Sequence, residues 1–436
     1  MKRPDIVRRI AEVLHRIAPD AKTILRETLS NGTTLLAYPN LTSPAVYFTG
    51  YMQPGAIADP GDNYGLASFT TDMLMTGTKR LNFQRLHDKI ESIGASLSLG
   101  TGHLSTTFFG QCLREDLETI WSLLVEVVQE PAFAEKQFKR VRNQSLTGIA
   151  IQNQDTAEMA SQAFSRALYG SHPYAHPDIG YAQTVSGIQK EQLESFHETH
   201  YGPNGLVLAV CGGIEPEMAR DIFSRTIGSW QSDRQGLPTE LPPFTPPTSS
   251  IRSHVPLEGK NQSDLVIGVP APKTVSRDYQ VCSIGNSILG KYGMMGRIGK
   301  AVREKAGLAY EVSSHLGAGI GPTAWTIVAG VNPENLEKAL TLLKQELARF
   351  RGELVTEQEL QDVKTQALGR LPLSIETNAG IASILVSIER YGYGLDHLRQ
   401  LPAIIESVTA EEILLAAQRY WDLDKLVITS AGKALT

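Results

Sequence analysis

The sequence predicts an α+β protein made of two duplicated domains, each an antiparallel-rich sheet packed with helices. Three observations lead there: a proline-rich break near the middle, a repeat that keeps register across the break, and strands and helices that come in runs. Positions 231–250 read QSDRQGLPTELPPFTPPTSS, with five prolines and no helical or strand period, which is the composition of an extended linker. The break divides the chain into an N-terminal domain, 1–230, and a C-terminal domain, 251–436.

The repeat is read element by element. In the first half, Leu117, Ile120, Leu123, Leu124, Val127 and Val128 form a helical apolar stripe, followed by Phe138 to Leu146 on a second helix. In the second half, Leu336, Ala339, Leu340, Leu343 and Leu347 form the matching stripe, followed by Leu360 to Leu368, and Gln144 and Gln366 lie 366 − 144 = 222 apart. A later helix running to Tyr201 leads into an apolar strand, Gly205 to Val210. Its counterpart runs to Tyr420 and then Lys425 to Ser430, with the two tyrosines 420 − 201 = 219 apart. Further strands are expected at Val46–Thr49 and Leu104–Phe109, and at Leu265–Val269 and Thr326–Val331, all rich in β-branched and aromatic residues.

Composition narrows the class of function. The chain has 436 residues, 42% apolar and 20% charged, as an ordinary globular protein does. A net charge of −5 and a pI near 6.1 give no reason to expect nucleic acid or an anionic membrane as a partner. No apolar run approaches the roughly 18 residues of a membrane span. The N-terminus mixes acids and bases and lacks the apolar core of a secretory signal. Cys112, Cys211 and Cys282 are scattered, as expected for buried thiols in a reducing compartment, and a cytoplasmic location is the expectation.

The segment Gly65 to Thr78 carries the functional signal. Ser68, Thr71 and Asp72 stand at the spacing of the zinc motif His-x-x-Glu-His, whose histidines hold the ion and whose glutamate is the general base. Two hydroxyls and one carboxylate are a poor set for a zinc ion that takes about three protein ligands.

With this segment, Tyr169-Gly170-Ser171-His172-Pro173-Tyr174 and Gly296 to Tyr310, the chain resembles the pitrilysin/insulinase (inverzincin) metallopeptidases from about Ile24 to Lys433. The likeness is to the short-chain, processing-peptidase-like branch. The resemblance implies a clam-shell half as the fold. It implies a third zinc ligand, a glutamate, on the helix ending Ser145-Leu146-Thr147-Gly148-Ile149, where this chain has Gly148. It also implies an arginine and a tyrosine that reach the substrate, and Arg303 and Tyr310 have the family's spacing, 310 − 303 = 7. A helix through Arg303 to Lys305, ended by Gly307 in a left-handed turn, would hand over to a strand carrying Tyr310. Met294 and Met295, in the glycine-rich run before that helix, would border the substrate chamber.

The expectation is therefore a non-catalytic subunit of a heterodimeric zinc metallopeptidase. It would carry no metal itself. A homologous partner subunit would hold the zinc, and the substrate would be a peptide or unfolded polypeptide. The alternatives are a structural core-type subunit and a homodimer that binds peptides without cutting them. Other histidines offer less: His197 and His200 lie three apart without an evident third ligand, and His172 and His176 sit in a proline-rich loop.

Overall fold

The computed structural model describes residues 3–231, 241–293 and 296–434. Six strands form the first sheet: β1 (Leu25–Thr28), β2 (Thr34–Pro39), β3 (Ala45–Met52), β4 (Ser96–Thr101), β5 (Thr106–Leu113) and β6 (Val207–Gly212), in the order β1-β2-β6-β3-β5-β4. Five form the second: β7 (Ile251–Pro256), β8 (Ser263–Pro270), β9 (Ala309–Leu316), β10 (Ala324–Val331) and β11 (Val427–Gly432), in the order β7-β11-β8-β10-β9. Without β1 the two orders are the same. In each sheet one pair is parallel, β2 with β6 and β7 with β11, and the other pairs are antiparallel. The duplication seen in the sequence is thus a duplication of topology.

Side-chain periodicity explains the layers. Along β5, Thr106, Phe108, Gly110 and Cys112 point inward and their neighbours outward. The central strands β6 and β11 are buried on both faces and read Val-Leu-Ala-Val-Cys-Gly and Val-Ile-Thr-Ser-Ala-Gly. Gly110 faces Phe48 across the ladder, and a Cβ there would come within 2.1 Å of the Phe48 ring. The strand expected from Leu104 begins at Thr106, because Gly102 N–H donates to Ser105 O at 3.0 Å and residues 102–105 close a turn.

Helices Leu117–Gln129 and Leu336–Gly352 bury the two apolar stripes. The first core gathers Phe48, Trp121 and Phe223, and the second Trp325, Phe350 and Trp421. The opposite faces of the sheets are covered by exchange. Helix Thr156–Tyr169 of the first half lays Ala160, Phe164 and Leu168 on Val266, Val427 and Ala431 of the second sheet. Helix Asn378–Tyr391 of the second half lays Ile381, Ala382 and Leu385 on Leu36, Val207 and Ala209 of the first. Asn378 secures that contact, donating from Nδ2 to Ala45 O at 2.9 Å.

Of the proline-rich segment, residues 241–250 have no regular structure, and 232–240 lie outside the described residues. Among the described residues no single helix is long and apolar enough to cross a membrane.

Candidate functional site

Helix Leu66–Leu74 begins at Gly65, whose φ of 95° is a left-handed conformation suited to glycine. Asp59 caps it, accepting from Gly65 N–H and Ala67 N–H at 2.7 Å each. Burial outweighs these two donors and pushes the Asp59 carboxyl up to about 6. Leu66, Phe69 and Met73 face the core, which leaves Ser68 and Asp72, one turn apart, on the opposite face.

Helix Glu135–Gln152 runs alongside, registered by Phe138 stacked on Phe69 at 5.2 Å. The two helices enclose a cavity of about 170 Å³ lined by Ser68, Asp72, Ser145, Gly148 and Gln152. Three positions that the sequence comparison linked to zinc ligands, Ser68, Asp72 and Gly148, therefore meet in one space. A Cβ built on Gly148 would meet nothing within 4 Å, so the room for a ligand side chain exists without the side chain. Asp72 sits exposed at the rim of this recess, where crowding by the walls and the nearby Asp178 raise its carboxyl to about 6. A serine hydroxyl, one acid and a glycine do not fit a zinc ion. Among the described residues no group of three or more His, Cys, Asp or Glu side chains is arranged to hold a metal.

Thr71 points elsewhere. It is buried, its hydroxyl donates to Ala67 O at 3.0 Å, and it receives the Thr101 hydroxyl at 2.6 Å. The Tyr201 hydroxyl lies 2.8 Å from it. Burial pushes the Tyr201 phenol up to about 12. The position that matches the general base of the zinc motif has become part of a hydroxyl network tying the helix to β4 and to the end of helix Lys190–His200.

The second constellation lies at the start of β9, the edge strand of the other sheet. Ile298 and Val302 are buried and anchor the helical segment Gly299–Lys305, wound wider than an α-helix. Arg297, just before it, forms a two-pronged ion pair with Glu359, Nε to Oε1 and Nη2 to Oε2, both at 2.8 Å. Gly307 ends the segment at φ 63°, with its N–H donating to Arg303 O at 3.2 Å. The chain then enters β9 and brings Tyr310 back beside Arg303. The Arg303 guanidinium carbon is 5.5 Å from the Tyr310 ring centroid, and Tyr310 is 84% exposed. Met294 and Met295 lie outside the described residues.

The remaining histidines have structural surroundings. His197 Nε2 is 2.6 Å from Val128 O, and its ring stacks on Tyr201. His172 is buried and accepts from Tyr174 N–H at 3.1 Å, while His176 stacks on Tyr64 with ring centroids 3.8 Å apart. The three cysteines are free and buried. Sequence reasoning missed the Asp59 cap and the Arg297–Glu359 pair. The pattern Thr356-x-x-Glu359 was readable as a capping box, but its pairing with Arg297 was not.

Comparison with known proteins adds the family. The description of insulinase (peptidase family M16) matches residues 36–180, and that of the peptidase M16 inactive domain matches residues 187–367. A protein of Rickettsia bellii named an uncharacterized zinc protease is 26% identical over 353 residues, 80% of this chain and 83% of its own length. One of the same description from Mycobacterium leprae is 28% identical over 361 residues, 80% of this chain and 78% of its own length. The crystal structure of a peptidase M16 inactive domain from Pseudomonas fluorescens superposes with a TM-score of 0.88 at 26% identity, covering 95% of this chain and 99% of the other. A protease from Helicobacter pylori shares the fold, with a TM-score of 0.86 at 17% identity, covering 94% of this chain and 99% of the other.

Proposed function

The chain belongs to the insulinase/pitrilysin (peptidase M16) family, and within it we propose the role of a non-catalytic subunit that serves a zinc-bearing homologous partner. Its task is to bind a peptide or unfolded polypeptide and to present Arg303 and Tyr310 to the bond that the partner cleaves. One observation carries the reading: Arg303 and Tyr310 are held side by side at a sheet edge with the tyrosine almost fully exposed. A tyrosine so exposed, next to a guanidinium, gains little from its own fold and is free to donate to something outside it.

The chemistry follows from the donors. Amide hydrolysis builds negative charge on the carbonyl oxygen, and positioned N–H and O–H donors stabilise that charge more than the ground state. A guanidinium and a phenol are such donors, and they flank one short turn. The cavity at Ser68, Asp72 and Gly148 supports the other half of the reading, since its donors do not fit zinc. The relatives' name of zinc protease describes those proteins, and this chain departs from it at the residues that zinc would require.

The test is to purify the chain alone and with a homologue carrying an intact His-x-x-Glu-His, then measure zinc per chain and cleavage of an unfolded polypeptide. Activity confined to the mixture, with zinc on the homologue, supports the proposal. Stoichiometric zinc and robust cleavage by the isolated chain overturn it.

A further inference from the structure

At the seam between the two halves lies a cavity of about 620 Å³. It is walled by the turn between β4 and β5, helix Thr156–Tyr169, the turn between β9 and β10, and the C-terminal end of helix Asn378–Tyr391. Ser68, Asp72, Gly148, Arg303 and Tyr310 are all outside its lining, so it is a different place from the site above.

Its charge is one-sided. Among the described residues that line it there is one arginine, Arg390, and no aspartate or glutamate. The arginine is firmly placed. Its Nη2 donates to the Ser105 hydroxyl, and its guanidinium carbon lies 4.1 Å from the Tyr51 ring centroid. The adjacent acid, Glu389, is engaged by Arg26 through bonds of 2.8 and 2.7 Å. Arg390 has no ion-pair partner among the described residues, and its Nε is buried without a hydrogen-bond partner. A partly desolvated guanidinium with no counter-charge is costly, and an incoming anion offsets that cost. Much of the remaining wall is apolar, supplied by Phe164, Val266, Leu316 and Ile320. A planar fork beside apolar walls suits a carboxylate attached to a hydrocarbon-rich body.

We propose that this seam cavity binds a terminal carboxylate carried on an apolar chain, with Arg390 holding the carboxylate and the walls holding the chain. The C-terminus of a hydrophobic peptide and a medium-chain fatty acid share this chemistry. Both halves contribute walls, so occupancy would also tie the two sheets together and raise the stability of the whole chain.

The experiment is titration calorimetry on the full-length chain with three probes: N-acetyl-Leu-Leu-Phe as the free acid, the same peptide as its C-terminal amide, and decanoate. The free acid should bind, and the amide should bind at least about tenfold more weakly, since it lacks the charge that pairs with the guanidinium. Arg390→Gln should abolish binding and Arg390→Lys should keep part of it. Ser165→Phe, which fills the cavity while leaving Arg390 in place, should also abolish binding. Binding of the peptide acid alone assigns the peptide source, and binding of decanoate alone, lost in Arg390→Gln, assigns the fatty acid. Equal affinity for acid and amide, or no heat from either acid, overturns the proposal. If Arg390→Gln melts early, Ser165→Phe carries the test, and unchanged binding in that variant is an equally adverse result.

Discussion

Removing the charge of Glu359 tests whether the Arg297–Glu359 pair holds the segment that presents Arg303. The Arg297 side chain is 10% exposed and that of Glu359 29%, so the pair is largely shielded from solvent. The Arg297 guanidinium, helped by Thr356 N–H at 2.8 Å, pulls the Glu359 carboxyl from an ordinary 4.5 down to about 2. At about 1.36 kcal/mol for each tenfold change in acidity, that lowering is worth about 3 kcal/mol. The sign is fixed by the direction: the folded-state value lies below the unfolded one, so the stabilisation is complete above pH 4.5 and drains away as pH falls toward 2. Glu359→Gln keeps the shape but leaves the guanidinium without its counter-charge, and should cost about 2–3 kcal/mol at pH 7. By pH 3 the gap between variant and parent should shrink to less than half. Trp325 and Trp421 lie 5.3 Å apart in the same core and report its unfolding by fluorescence in urea. Midpoints that coincide at pH 7, or a gap that stays constant down to pH 3, would refute this account of the pair.

Three further outcomes are expected. On the proposed role, Arg303→Ala and Tyr310→Phe should each lower turnover by a mixture of this chain with a zinc-bearing homologue by about 10²–10³, with assembly unchanged on gel filtration; wild-type rates in both would remove the pair from the chemistry. Ser68→His should bind no stoichiometric zinc by elemental analysis and should cleave nothing alone, because Asp72 and Gly148 leave the ligand set short. Thr71→Val should destabilise the first half by about 1–3 kcal/mol, since it strips a partner from the hydroxyls of the half-buried Thr101 and the buried Tyr201; a thermal melt identical to the parent would contradict that.

The sequence carried much of this protein in readable form. Alternation along β5 and the apolar stripes of Leu117–Gln129 and Leu336–Gly352 follow from backbone geometry, because periods of two and 3.6 residues decide which side chains share a face. The mismatch with the zinc motif could be read for a simpler reason: a ligand set is a matter of residue type, and of Ser68, Asp72 and Gly148 only the aspartate is an ordinary zinc ligand, wherever the three sit. The turn at Gly307 that returns Tyr310 to Arg303 was legible too, since a glycine after a short helix favours the left-handed exit.

Tertiary structure decided the rest. An apolar stripe says that a helix will be buried but not against which sheet, and nothing local in Ala160, Phe164 and Leu168 directs that helix to the second sheet. The same holds for Ile381, Ala382 and Leu385 on the first sheet. The inward turn of Thr71 and the pairing of Arg297 with Glu359 depend on partners 30 to 130 positions away, since Thr71 meets Thr101 and Tyr201 while Arg297 meets a residue 62 positions on. Long-range contact of that kind is settled by how whole faces fit together, which a one-dimensional pattern does not record. The seam cavity, with an Arg390 that has no ion-pair partner among the described residues, exists because two half-chains cover each other's sheets and leave a gap where the covers meet.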